Sequence, residues 1–130
     1  MSLYALENNV IRPLGDERMH FALNCMVVGC PRLPRTAFAP EKLDAQLDNE
    51  ARRFFAETRN LQILPERRLA RVSAILEFYS EDFLAKSPTL IAYVNRYAPG
   101  AIPEDFAIEF VAYDWTVNDR SRRAAGAARR

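Results

Sequence analysis

Two spacings of apolar residues, one of three to four positions and one of two, divide this chain into candidate helices and candidate strands. Leu3, Leu6 and Val10 recur at helical spacing, so residues 3–11 read as a short amphipathic helix that stops before Pro13 and Gly15. From Arg18 to Val28 the pattern changes: Met19, Phe21, Leu23 and Cys25 alternate with His20, Ala22, Asn24 and Met26. That alternation predicts a strand buried largely on both faces, broken into a loop by Gly29, Pro31 and Pro34. Pro40 suits a first helical turn, and Leu43, Leu47, Ala51, Phe54 and Phe55 continue one apolar face, giving a helix over 40–57.

The second half adds a hairpin, two helices and a strand. Leu61 to Leu64 and Leu69 to Val72 read as paired strands about a turn at Pro65 to Arg67. Ser73 is placed to cap a helix carrying Ile75, Leu76, Tyr79 and Phe83, with Ser80 restarting its last turn. Ser87 and Pro88 signal another start, and Leu90, Ile91, Val94 and Tyr97 line that helix up to Pro99 and Gly100. Phe106, Ile108 and Phe110 then alternate in a strand running towards Tyr113, Asp114 and Trp115. The order predicts an α+β fold: a small mixed sheet of about four strands packed against about four helices.

Composition supports one domain over residues 1–119: 130 residues, 49% hydrophobic and 11% aromatic, suffice for one core. Apolar runs such as Cys25 to Cys30 are too short to span a bilayer. Met1 to Asn9 carries Glu7 and no basic cluster, unlike a secretory signal. The expected location is cytoplasmic as the chain is written, or periplasmic or secreted if a signal lies upstream. Arg120, Arg122, Arg123, Arg129 and Arg130 face no acid among residues 120–130, which predicts a disordered basic tail. What remains is mildly acidic, arguing against nucleic acid as a partner.

The reactive residues cluster early. His20 is the only histidine, and Cys25 and Cys30 are the only cysteines. On a strand, Cys25 lies roughly 16 Å from His20 and on the opposite face, so Cys25 reads as core. Cys30, beyond Gly29, is the better nucleophile, with His20 as base and Asp114 as the carboxylate that orients it. Blander readings compete: a buried histidine, an inert loop cysteine, an aspartate in a turn, or a Cys25–Cys30 disulfide in an oxidising compartment. For metal, His20, Cys25 and Cys30 supply three ligands where structural zinc wants four, and an aspartate such as Asp114 could finish the set; no metal or cofactor is expected. Glu81 and Asp82 are adjacent and do not face one another as paired catalytic carboxylates must.

Several strings together resemble the family called domain of unknown function 547: LENNVIRPLGDERMHFALNC at 6–25, GCPRL at 29–33, EKLDAQLDNEARRFF at 41–55, EFYSEDF at 77–83 and AYDWTVND at 112–119. Gly29 stands where that family usually has serine, and Phe78 where it commonly has tryptophan. The resemblance implies the latter part of such a domain, without an upstream helical portion. It marks His20, Asn24, Cys30, Asp82, Asp114 and Trp115 as shared positions, the catalytic reading falling on Cys30, His20 and Asp114 and the binding reading on Asn24, Asp82 and Trp115. It implies a fold rather than a reaction. The leading expectation is a structural or protein-interaction module without complete catalytic machinery; the alternative is a cysteine-dependent hydrolase of papain or transglutaminase type. Without upstream helices, the face carrying Met19, Phe21 and Leu23 is expected to be exposed and to be covered by a homodimer or another protein partner.

Overall fold

The computed structural model describes residues 1–24 and 27–117. A helical segment opens the chain as helix α1 (Leu3–Ala5), a π-helical stretch (Leu6–Ile11) and a 3-10 turn (Arg12–Leu14). The Ser2 hydroxyl caps its start by accepting from the Ala5 amide at 3.0 Å. Helical geometry runs on through Pro13 and ends at Gly15, whose φ of 85° is the left-handed conformation that glycine adopts without steric cost.

Residues 19–22 overturn the strand expected there. Met19–Ala22 is a helical turn, α2. Its start is fixed locally: the Asp16 carboxylate accepts from the Arg18 amide at 3.1 Å, and the Asp16 carbonyl accepts from the Met19 amide. All four residues are buried, His20 and Ala22 included, so the apparent alternation does not separate an inner from an outer face. Beyond α2, Val27 makes one isolated bridge to Val117 among the described residues.

Helix α3 (Leu43–Ala56), entered through a 3-10 turn at Pro40–Lys42, matches its sequence signals and buries Leu47, Ala51, Phe54 and Phe55. Strand β1 (Leu61–Leu64) turns through Pro65–Arg67 into β2 (Leu69–Ser73), an antiparallel hairpin as expected. Helix α4 (Ile75–Phe78) starts beneath the Ser73 hydroxyl, which accepts from the Ile75 amide, and α5 (Ser80–Leu84) restarts at Ser80. Helix α6 (Leu90–Asn95) is capped by the Thr89 side chain rather than starting at Ser87. Strand β3 (Ala107–Val111) lies parallel to β2, giving the order β1-β2-β3.

The fold is therefore mixed α and β, with three strands and six α-helices among the described residues in place of about four of each. The fourth strand is the one lost to α2, and α2 together with the break at Tyr79 that separates α4 from α5 accounts for the two extra helices. Phe21, Phe54, Phe55, Leu76, Phe83 and Tyr93 form the centre of the core, together with Ala70 and Val72 of the central strand. Met19 and Phe21 are buried inside this chain, so they form no exposed face that needs a partner. The basic tail at 120–130 lies outside the described residues, and no helix among those described is long and apolar enough to cross a membrane.

Candidate functional site

Three consecutive residues, Asp16, Glu17 and Arg18, fasten α2 to its surroundings. Arg18 is ringed by carboxylates: Asp16 and Asp48 lie 2.7 and 2.8 Å away and Asp44 2.9 Å, which raises its pKa and ties α2 to α3. Glu17, buried, accepts the Tyr93 hydroxyl at 3.0 Å, tying α2 to α6. Burial, reinforced by that carboxylate, pushes the Tyr93 hydroxyl far above its ordinary pKa, so it acts as a permanent donor.

These ties hold His20 deep inside, its side chain 1% exposed. Its ring stacks on Tyr79, with centroids 3.9 Å apart and planes 12° from parallel, and meets the edge of Phe83 at 5.6 Å. Nε2 lies 2.8 Å from Asp82 Oδ2 on α5. Asp82 is also gripped by Arg12, whose Nε donates to Oδ2 at 2.7 Å and Nη2 to Oδ1 at 3.2 Å, the two-pronged geometry of a charge-assisted pair. Arg12 sits over the Tyr79 ring, 5.1 Å from its centroid.

The charges in this network are set by burial and partners together. Burial lowers the His20 pKa and outweighs the opposing pull of Asp82, so the imidazole is neutral near pH 7. Burial alone would raise the Asp82 carboxyl, but hydrogen bonds from Arg12 and His20 win and hold it below its ordinary value. A neutral imidazole facing a carboxylate carries its proton on Nε2, which leaves Nδ1 as the bare acceptor. Nδ1 is buried and has no hydrogen-bond partner among the described residues.

The other expected site residues gather elsewhere. Cys30, 3% exposed, is disulfide-bonded; the sequence holds one other cysteine, Cys25, outside the described residues. A disulfide sulfur has no proton, so the Tyr113 hydroxyl is the donor in its 3.2 Å contact with Cys30 Sγ. Asn24 donates to the Pro31 carbonyl at 2.8 Å, and Arg59 donates to the Val28 and Cys30 carbonyls, holding the loop closed. Val28 and Gly29 bond through their amides to the Thr116 and Asp114 carbonyls, both at 2.8 Å. A Cβ at Gly29 would come within 3.0 Å of the Asp114 backbone, so glycine permits this close approach where the resembled family usually has serine.

Asp114 Oδ1 accepts from the Thr116 amide and hydroxyl, and Trp115 packs its ring on Tyr113, with centroids 4.5 Å apart. His20 and Asp82 are thus brought together, whereas neither ring nitrogen of His20 is bonded to Cys30 or Asp114. A cavity of about 260 Å³ lies between Gly29, Arg59 and residues 111–114; it is lined by Asp114 but by neither His20 nor Cys30. Sequence reasoning missed Arg12 and Tyr79, because nothing local to either residue announces a partner some seventy positions away in the first case or a ring stack in the second. Among the described residues no cluster of histidine, cysteine and carboxylate side chains could hold a metal ion.

No curated protein and no solved structure matches the chain. Residues 2–55, the stretch that carries Arg12, His20, Asn24 and Cys30, match the family model described as "Protein of unknown function, DUF547", consistent with a domain of that family.

Proposed function

We propose that this domain is a structural and protein-interaction module whose histidine–aspartate pair has become a buried brace. The observation that carries this reading is the state of His20: one ring nitrogen is committed to a carboxylate already neutralised by Arg12, and the other is buried with no partner among the described residues. A catalytic imidazole must meet a nucleophile or a substrate proton. Here the pair instead joins three separate pieces of chain, namely the N-terminal helical segment, α2 and α5.

Thiol chemistry tests the absence of a working nucleophile. Without reductant, Cys30 is expected to take up no iodoacetamide. After reduction near neutral pH it is expected to react no faster than a cysteine in an unstructured peptide. Alkylation ten or more times faster than the peptide would restore the cysteine-hydrolase reading, with Cys30 as nucleophile and His20 as base.

The interaction half rests on exposed apolar side chains that the core does not use. Trp115 is 69% exposed beside Phe78 and Tyr113, while Leu3, Tyr4 and Leu14 project from the N-terminal segment. Grouped aromatics of this kind favour association. A second copy of the chain is the proposed occupant. Sedimentation at micromolar concentration is expected to show a dimer that Trp115→Ser weakens, and a purely monomeric profile would remove this half of the proposal.

A further inference from the structure

A cavity that shares no residue with the histidine brace carries three guanidinium groups. The loop after Cys30 folds over α3 and encloses about 460 Å³ lined by Arg32, Arg35, Phe38, Asn49, Glu50 and Arg53, among others. The spacing of Gln46, Asn49, Glu50 and Arg53 places all four on one face of α3, so the helix supplies one wall and the loop the other. Gln46 pins the loop in place: its side-chain oxygen accepts from the Ala39 amide at 2.9 Å, and its nitrogen donates to the Ala37 carbonyl at 3.1 Å.

The charge count within this cavity does not close. Glu50 is the one carboxylate in the lining; it is buried and already accepts from Arg32 Nη2 at 2.8 Å. Among the described residues Arg35 and Arg53 make no ion pair, and the Arg32 Nε is buried without a hydrogen-bond partner. Three guanidinium groups against one carboxylate leave two positive charges uncompensated. They stand out because residues 1–119 as a whole are acidic.

We propose that this cavity binds a small organic phosphate monoester. At pH 7 such a group carries about −1.5 to −2 charge and presents several acceptor oxygens, which matches two spare guanidinium charges better than a single carboxylate does. Arg35 and Arg53 are its primary ligands, Arg32 borders them, and Asn49 offers a neutral donor. Phe38 and Pro34 give the rim an apolar edge for the organic substituent. The volume suits a molecule of metabolite size.

Phenyl phosphate is the probe, titrated into the full chain and followed by amide chemical shifts and calorimetry, with inorganic phosphate and benzoate as comparators. The expected result is saturable one-to-one binding, with shifts confined to residues 32–38 and 46–53. Benzoate should bind at least fivefold more weakly. Arg35→Ala with Arg53→Ala should weaken binding at least tenfold at an unchanged melting temperature, both side chains being exposed. Arg52→Ala, on the same helix but outside the lining, should leave binding intact. Inorganic phosphate binding as tightly as phenyl phosphate would remove the role of the apolar edge and overturn the monoester assignment. Absence of saturation, or equal weakening by Arg52→Ala, would reduce the cavity to diffuse surface charge and overturn the site itself.

Discussion

Replacing Phe21 by alanine is expected to cost about 4 kcal/mol of folding stability, within the range for deleting a buried aromatic ring. The ring is 1% exposed and touches Phe54, Phe55 and Phe83 at centroid distances of 4.8, 5.2 and 5.5 Å, so it joins α2 to α3 and α5 at one point. Removing it takes away both the transfer free energy of the ring and the contacts of its neighbours, which cannot collapse because they are anchored on two separate helices, α3 and α5. For a domain whose total stability is about 5–15 kcal/mol, that is a large fraction. Denaturant unfolding should show the midpoint falling with little change in slope, and the melting temperature should drop by roughly 10–20 °C. A loss below about 1.5 kcal/mol would mean that Phe21 is not the hinge of the core.

Asp82→Ala is expected to cost about 2–3 kcal/mol, chiefly by orphaning two partners at once. Arg12 loses both prongs of its pairing, and the Nε2–H of His20 loses its acceptor inside the core. The N-terminal segment has no buried residue of its own, so hydrogen exchange over residues 3–14 should accelerate more than elsewhere.

Acid stability offers a second readout. The His20 pKa lies below its ordinary 6.5, so the unfolded chain binds the proton more readily; stability is full above that pH and falls as pH drops towards the folded value. The Asp82 pKa lies below its ordinary 3.8, so a second loss begins there and continues downward. In Asp82→Ala the lower step should shrink to the part that Asp16, held below 3.8 by its hydrogen bond from Arg18, still contributes, while the upper one persists; unchanged curves at both steps would refute the assignment of charges in the network.

The helix over 43–56, the hairpin and the last strand were legible because each shows one clean period and a breaker at its end: Pro40 before Leu43, Pro65 between the hairpin strands, alternation from Phe106 to Phe110. Residues 19–22 were not legible for the opposite reason. A segment buried on every side has no polar phase, and its helical turn is set by Asp16, a residue outside the window that the period is read from. The site shows the same division. His20 and Asp82 carry chemistry that any reading would single out, yet Cys30 and Asp114, grouped with His20 by residue type, go to the loop tied to residues 113–117. Arg12 is invisible until the chain folds, since its partner lies on a helix formed long after it in sequence.

The central position of β2 also orders assembly. Its pairing with β1 closes a loop of only a few residues, Leu64 meeting Leu69, whereas its pairing with β3 joins Leu69 to Ala107 across α4, α5 and α6. The entropy of closing the longer loop exceeds that of the shorter by about 2 kcal/mol, so the hairpin forms first and offers the template on which the final strand docks. A defect in any of the three intervening helices is therefore felt at the far edge of the sheet, as a strand that arrives late.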